Sequence, residues 1–214
     1  MNNSPTSNSD TLPRRKKGIL FVLSAPSGAG KNTIIQGLSA CLDRCAYSIS
    51  CTTRAPREGE QHGRDYFFLD EAEFRRRIDV GEFLEYAEVH GKFYGTLKET
   101  IAAHLRAGRD VLMDIDVAGA EQVRTCSDTF FTDALADVFI MPLSLDQLRQ
   151  RLESRGTETA EQIALRLRNA DAEMRHWHKY RYTMVTTTRE ADLANMLAIV
   201  HAEHCLSRHQ TFNV

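Results

Sequence analysis

A glycine-rich segment that contains a lysine has the clearest chemical pattern in this sequence. It spans residues 24–33, between an apolar run at 19–23 and a helical pattern that begins at Ile34. Glycines at 28 and 30 let backbone N–H groups turn toward an anion, and a helix N-terminus adds partial positive charge. Lys31 adds a full charge that can follow a transferred phosphoryl group. The pattern predicts a nucleotide-phosphate loop made of Ala25, Pro26, Ser27, Gly28, Ala29, Gly30, Lys31, Asn32 and Thr33.

Two fixed positions of the usual phosphate-loop pattern are not met. The pattern G-x-x-x-x-G-K-[ST] has glycine where Ala25 stands and a hydroxyl residue where Asn32 stands. Thr33 supplies a hydroxyl one position later. On the loop alone, a glycine-rich turn between a strand and a helix that binds nothing is the alternative.

A second set of polar side chains lies between residues 50 and 116. Arg54 and Arg57 flank Pro56 on a stiff turn, and guanidinium groups suit a bidentate grip on a phosphate. Guanine presents two neighbouring N–H donors beside a carbonyl acceptor, so carboxylates near a hydroxyl complement it, whereas adenine lacks that donor pair. The candidates for this recognition, with two tyrosines as phenolic donors, are Ser50, Tyr66, Glu85, Tyr94, Thr96 and Asp116.

Length and composition limit the class of protein. The chain has 214 residues, of which 42% are hydrophobic, and this is enough for one compact domain with inserted subdomains. A net charge of -2 gives no reason to expect a specific nucleic-acid partner. No membrane span or secretory signal is visible. The five cysteines have no C-x-x-C spacing, which favours reduced thiols and a cytoplasmic location.

The elements that position these residues alternate between strand and helix. Residues 1–17 are polar, end in four basic residues and are predicted to be a disordered tail. The predicted strands cover residues 19–23, 47–50, 66–69, 83–89, 92–94, 111–116, 138–141 and 182–185, with 51–65 as a loop. The predicted helices cover 30–42, 71–79 capped by Asp70, a segment from Thr96 to Gly108, 145–177 with a break at Gly156, and 191–205.

Such alternation predicts an α/β fold with a parallel sheet, because right-handed crossovers join parallel strands. Ligands bind beyond the carboxyl ends of such strands, where the loop, Asp114 and Asp116 all lie. The antiparallel pattern of 51–95 interrupts the alternation and predicts an inserted subdomain.

Seven motifs in one order give the chain a specific resemblance. After S-A-P-S-G-A-G-K come T-T-R-A-P-R-E-G-E, G-R-D-Y-F-F, G-E-F-L-E-Y-A, Y-G-T, D-I-D-V-A-G and R-G-T-E-T. Over residues 18–206 the chain resembles the bacterial-type guanylate kinases, in which alanine is also found at the position of Ala25. The resemblance implies a three-layer P-loop fold with a core (18–50, 97–144, 178–214), an inserted mixed-β GMP-binding subdomain (51–96) and a helical lid (145–177).

The resemblance also implies an activity and roles for residues. The reaction is ATP plus GMP giving ADP plus GDP, reversibly and with Mg²⁺, and dGMP is a further expected substrate. Ser50, Glu85, Thr96 and Asp116 match guanine-recognising positions, and Arg54, Arg57, Tyr66 and Tyr94 match positions that hold the GMP phosphate. Lys31 and the loop amides match the positions that bind the ATP phosphates. Three lid arginines match the positions that close over the transferring phosphoryl group: Arg151, Arg155 and Arg166. Asn32 or Thr33, and Asp114 through water, are the candidates for the metal.

Several alternatives stay open at this point. The lid arginines also fit a solvated helix face, and Asp114 also fits a simple strand-end cap. A non-catalytic module that binds phosphopeptides would use the same arginine and tyrosine set, and a kinase for AMP or dTMP would share the loop. Two departures from the family are Asn32 and the run Val-Thr-Thr-Thr at 185–188, which leaves the donor-nucleotide preference open. The oligomeric state is not predicted.

Overall fold

A computed structural model describes residues 14–15, 17–154, 156 and 158–211 of the chain. Across this part of the protein, no helix combines the length and the apolarity needed to cross a bilayer. The strands are β1 (Arg14–Arg15), β2 (Leu20–Ser24), β3 (Cys45–Tyr47), β4 (Cys51–Thr52), β5 (Phe67–Phe68), β6 (Phe83–Val89), β7 (Lys92–Leu97), β8 (Asp110–Asp114), β9 (Leu135–Met141), β10 (Tyr182–Val185) and β11 (Gln210–Thr211). The α-helices are α1 (Lys31–Cys41), α2 (Glu71–Asp79), α3 (Lys98–Arg106), α4 (Val117–Arg124), α5 (Thr129–Thr132), α6 (Leu145–Ser154), α7 (Ala160–Met174) and α8 (Arg189–Cys205).

The main sheet is parallel, as the alternation of elements predicts. Its strand order is β10-β9-β2-β8-β3, and every residue of the central strand β2 is buried. Leu20 and Val22 pack into one apolar core with helices α3 and α4, while Phe21 and Leu23 pack into another with α1 and α8. Helices therefore cover both faces of the sheet, and the predicted three-layer α/β fold is confirmed.

The inserted segment forms its own mixed sheet, in the order β5-β4-β7-β6. Strands β4 and β5 are parallel, and the other pairs are antiparallel. A separate aromatic core supports this sheet, with the Phe74 ring centroid 4.3 Å from that of Phe83 and 5.4 Å from that of Phe93. The acceptor sheet, as we call these four strands, therefore has packing of its own.

Helices α6 and α7 occupy the segment 145–177 that is predicted to be a lid, with the predicted break at Gly156 between them. Gly156 has a φ of 64°, a left-handed conformation that favours glycine and ends the first helix. Thr159 then starts α7 with a capping box, in which its hydroxyl accepts from Gln162 N and the Gln162 side chain accepts from Thr159 N. Leu148, Leu152, Leu167 and Ala170 pack the two helices together.

Some element predictions are wrong for identifiable reasons. Thr96 does not cap a helix: it lies in β7 opposite Glu85, and α3 begins at Lys98 without a side-chain cap. The segment 51–65 is not all loop, since Cys51–Thr52 forms β4. Within the predicted disordered tail, Arg14–Arg15 forms β1 and pairs with β11, whereas 1–13 and 16 lie outside the described residues. Helices α4 and α5 are absent from the predictions because both are short.

Candidate active site

The phosphate loop connects the end of β2 to the start of α1, as predicted. Gly28 and Gly30 have φ angles of 94° and 98°, which only glycine adopts without strain. A Cβ at Gly28 would lie 3.0 Å from Leu148 of the lid, so the glycine also allows close packing there. A cavity of about 400 Å³ lies over the loop, and it is lined by all nine predicted loop residues together with Asp114 and Glu173.

Lys31 and Asp114 meet at the carboxyl ends of neighbouring strands. Parallel pairing of β2 with β8 places Leu23 opposite Asp114, so the residues after β2 lie close to the Asp114 side chain. The Lys31 ammonium forms an ion pair with Asp114 and lies 3.5 Å from the carbonyl oxygen of Ile115. Asp114 is therefore part of the loop's charge arrangement and more than a strand-end cap.

Glu173, near the end of α7, is a site residue that the sequence reasoning missed. It lines the loop cavity, and burial together with the negative charge of Asp116 raises the pKa of its carboxyl, while Lys31 opposes the shift. Its sequence neighbourhood carries no motif, and only the packing of the lid brings it to the loop. Among the described residues, no group of three or more His, Cys, Asp or Glu side chains is arranged to hold a metal ion without further ligands.

Two of the predicted lid arginines contact the phosphate loop directly. Arg151 Nη1 lies 3.3 Å from the carbonyl oxygen of Ala29, and Arg166 Nη1 donates a 2.6 Å hydrogen bond to Ser27 Oγ. Arg166 also pairs with Glu158 at 2.9 Å. Because of these contacts, neither arginine belongs to a purely solvated helix face. Arg155 lies outside the described residues.

A second cavity, of about 310 Å³, extends the loop cavity toward the 185–188 segment. It is lined by loop residues, Arg151, Thr187, Arg189 and Asp192 among others. The backbone N–H of Thr187 donates a 2.7 Å hydrogen bond to Asp192 Oδ1. The Thr186 hydroxyl is buried, and no described residue gives it a hydrogen bond. The departure from the family at 185–188 thus lies beside the loop.

The predicted phosphate-binding residues of the acceptor sheet cluster around Arg54. Its guanidinium lies 5.4 Å from the centre of the Tyr66 ring, and the Tyr66 and Tyr94 ring centroids are 6.2 Å apart. Arg54 Nη2 pairs with Glu60 Oε1 at 2.9 Å, and the Arg57 backbone N–H donates to the other Glu60 oxygen at 2.8 Å. These hydrogen bonds lower the pKa of Glu60. Glu60, which forms this ion pair with Arg54, was not among the site residues predicted from the sequence.

The predicted base-recognising residues lie between the acceptor sheet and α4. Glu85 faces Thr96 in the β6–β7 register and is only 6% exposed. Burial raises the pKa of Glu85 to about 7; Thr96 opposes this shift, and the charge of Asp116 adds to it. Asp116 caps α4 by accepting a 2.8 Å hydrogen bond from Gly119 N. Ser50 directly precedes β4, and its carbonyl oxygen accepts from Phe67 N at 2.9 Å.

A third cavity, of about 580 Å³, lies beside the loop along α1. Asn32 and Asp114 line one side of it, and Tyr47 and Tyr66, the residue that precedes β5, also contribute to its lining. Asp114 and Asn32 line the loop cavity as well. The loop cavity and this third cavity therefore have two lining residues in common, Asn32 and Asp114.

Another cavity, of about 600 Å³, is formed by residues outside the predicted site. Its lining includes Lys17, Arg106, Phe130 and His209. Lys17, Asp133 and the neighbouring segments precede β2 and β9, so they lie at the amino ends of the parallel strands. Because the loop and Asp114 lie at the carboxyl ends, this cavity takes no part in the site described above.

The architecture of a P-loop nucleoside monophosphate kinase combines a glycine-rich loop at the carboxyl end of a parallel sheet with a second, inserted sheet and a helical segment that reaches the loop, and all three are present here. The guanylate kinase family model matches residues 17–203, and the chain belongs to this family. It is an ATP:GMP phosphotransferase, as its named relatives indicate.

Relatives of the chain cover nearly all of its length. It is 48% identical over 185 residues to the guanylate kinase of Dechloromonas aromatica, covering 86% of this chain and 89% of that relative. It is 42% identical over 188 residues to the guanylate kinase of Thermotoga maritima, covering 87% and 88%. The crystal structure of guanylate kinase from Anaplasma phagocytophilum superposes with a TM-score of 0.70 at 31% identity, covering 94% of this chain and 93% of that one.

Proposed function

We propose that this kinase transfers the γ-phosphoryl group of ATP to GMP across the cavity that Asn32, Asp114 and Tyr66 share. The observation that carries this assignment is the common wall: Asn32 and Asp114 line both the loop cavity and the cavity that reaches Tyr66. A phosphoryl group held over the loop would then lie next to the cavity that reaches Tyr66, which supports the proposed direction of transfer. In-line positioning and charge neutralisation are what this transfer needs from a protein.

On the donor side, the loop amides bind the ATP phosphates and Lys31 follows the transferring group. Lys31 leaves Asp114 when a phosphate offers a stronger negative partner. Arg151 and Arg166 already reach the loop at Ala29 and Ser27, so they are placed to neutralise charge on the three equatorial oxygens. We assign Arg155 the same role from the resemblance alone. No protein base is needed, because the GMP phosphate is itself the nucleophile.

On the acceptor side, Arg54, Arg57, Tyr66 and Tyr94 hold the GMP phosphate, which displaces Glu60 from Arg54. Glu85 and Asp116, with Ser50 and Thr96, recognise the guanine edge. The buried carboxylate of Glu85 supports this assignment, because it would be left without a partner by a base that lacks the N–H pair. dGMP carries the same base and phosphate, and we propose it as a second substrate.

Oxygen donors near the loop fit the Mg²⁺ that accompanies ATP. Asn32, Thr33 and Asp114 line the same cavity and offer amide, hydroxyl and carboxylate oxygens, the ligand types that Mg²⁺ prefers. When bound with ATP, the ion neutralises phosphate charge; Asp114 would hold it through water and Asn32 or Thr33 would face it. We also propose that the enzyme works in the cytoplasm, as the spacing of its five cysteines predicts.

A coupled assay of ADP release with GMP, dGMP, AMP and dTMP tests the acceptor assignment. We expect turnover with GMP and dGMP and little with AMP or dTMP. Equal turnover with AMP would overturn the roles of Glu85 and Asp116. A phosphopeptide-binding module would give no turnover with any of the four.

A further inference from the structure

Gly119, in the first turn of α4, lies beside both carboxylates that we assign to guanine. Its backbone N–H donates the 2.8 Å hydrogen bond to Asp116 Oδ1. A Cβ atom built on Gly119 would lie 3.2 Å from Glu85 Oε2, closer than side chains ordinarily approach. The missing side chain therefore leaves the space into which the Glu85 carboxylate extends.

The backbone of Gly119 does not itself require glycine. Gly119 lies inside a regular helix, and its φ is not among the positive angles of the chain. Glycine lowers the stability of a helix relative to alanine. Its presence here is therefore explained by what surrounds the absent Cβ.

The surroundings give an added methyl group little room. Ile115 is buried, and its Cβ would lie 3.3 Å from the new atom, so the methyl would touch Ile115 as well as Glu85. Two hydrogen bonds fix α4 to β6 next to Glu85: Tyr86 N donates to Gln122 Oε1 at 3.0 Å, and Gln122 Nε2 donates to Tyr86 O at 2.9 Å. The end of the Glu85 side chain is the nearest group to the added methyl, and we expect it to shift by about a few tenths of an ångström.

We infer that Gly119 is a positioning residue for base recognition, which orients Asp116 through its N–H and sets the position of Glu85 by the absence of a side chain. The inference rests on the proposed guanine contacts of Glu85 and Asp116. It assigns to a residue that touches no substrate a part in choosing the acceptor base.

The test is a double-mutant cycle on the full chain. We expect Gly119→Ala to raise the KM for GMP about tenfold, since a misplacement of about 1 Å can cost about 10²-fold and the shift expected here is smaller. The KM for ATP should stay as it is, and the preference for GMP over IMP, which lacks the exocyclic amino group, should fall. In a Glu85→Ala background the close contact is gone, so Gly119→Ala should have little further effect on GMP.

Gly37→Ala is the matched control, because Gly37 lies inside α1 and its added Cβ would meet only the flexible Leu193 side chain, at 2.9 Å. It should leave the KM for GMP and the base preference unchanged. An unchanged KM in Gly119→Ala, with a raised KM in Glu85→Ala, would overturn the role of Gly119 and leave the proposed function intact. An unchanged KM in Glu85→Ala would overturn both. An equal loss from Gly119→Ala in both backgrounds would show a structural effect that does not act through Glu85.

Discussion

The Lys31 ammonium and the Asp114 carboxylate form an ion pair at the phosphate loop, and both side chains are partly exposed, at 18% and 22%. In this arrangement Lys31 has a partner that an incoming phosphate must replace. Asp114 is then released toward the cavity that it shares with Tyr66. One ion pair thus links the donor and acceptor regions.

Replacing Lys31 should reduce turnover far more than substrate binding. We expect Lys31→Met to lower kcat by about 10²–10³, as for the loss of one preorganised group that stabilises transition-state charge. The KM for GMP should change little, because Lys31 is not among the residues that we assign to GMP binding. Steady-state kinetics in both substrates measure this, and a raised KM with an unchanged kcat would place Lys31 in ground-state binding instead.

Binding of GMP should strengthen as the pH rises through 7. The pKa of Glu85 in the free protein is about 7, and only its ionised form accepts hydrogen bonds from both guanine donors. Between pH 8 and pH 6 the ionised fraction falls about tenfold, and affinity should fall with it. Calorimetric titration of the native protein and of Glu85→Gln checks this, because ionisation of the GMP phosphate affects both proteins equally. Parallel pH profiles would contradict the role of Glu85.

The same carboxyl group should make folding stability depend on pH in the opposite direction. The folded-state pKa of Glu85 is raised from 4.5 to about 7, so between these values the folded protein binds more protons than the unfolded chain. Its contribution to the free energy of unfolding is full below about pH 4.5 and falls by about 3 kcal/mol as the pH rises to 7, at 1.36 kcal/mol per pKa unit. Urea unfolding at several pH values should show this fall relative to Glu85→Gln. A constant difference between the two proteins would refute it.

Lysine in place of Arg54 should bind the acceptor phosphate more weakly. Its planar guanidinium holds Glu60 while lying over Tyr66, and lysine cannot grip a phosphate in a bidentate manner. We expect Arg54→Lys to raise the KM for GMP roughly tenfold, the loss of one charge-assisted hydrogen bond. Arg64→Lys is the control, because Arg64 is 58% exposed and pairs with Asp65. If the two variants had equal KM values for GMP, Arg54 would have no role in binding the GMP phosphate.

Asn32 should give this enzyme its own dependence on Mg²⁺. It lines the loop cavity where the phosphate-loop pattern has a hydroxyl residue. We expect Asn32→Ser to shift the Mg²⁺ concentration that supports half-maximal rate. Titration of the rate with Mg²⁺ in the native protein and in the variant measures the shift. Identical curves would show that Thr33, water or the nucleotide alone determines metal binding.

The sequence predicts those parts of the structure whose causes are local. Asp70 caps α2, as predicted, because an aspartate before an amphipathic run accepts from the third residue of the helix, here Glu73 N at 2.7 Å. Thr96 looks like a similar cap, yet it continues β7 because pairing with β6 outweighs the local signal. Its partner in that pairing, Glu85, lies eleven residues earlier in the chain, outside the local pattern that resembles a cap.

The two missed site residues were missed for different reasons. Glu173 reaches the loop only because α7 packs over it, and its sequence neighbourhood resembles an ordinary solvated charge pattern. Glu60 lies within a quoted motif, but its pairing with Arg54 depends on the conformation of the turn between them, which the sequence pattern does not specify. Lys31 and Asp114, by contrast, meet where the carboxyl ends of β2 and β8 place them.

Strand β6 belongs to two cores at once. Phe83 packs with Phe74 and Phe93 under the acceptor sheet, the next residue, Leu84, packs in the main core, and Glu85 follows directly. A disturbance of the aromatic core would therefore act, through two residues of backbone, on the carboxylate that we assign to recognition of the base. We therefore expect substitutions at Phe74 or Phe93 to reduce the preference for GMP while the main fold is retained. The choice of acceptor base would then depend on the packing of phenylalanines that are not assigned to nucleotide binding.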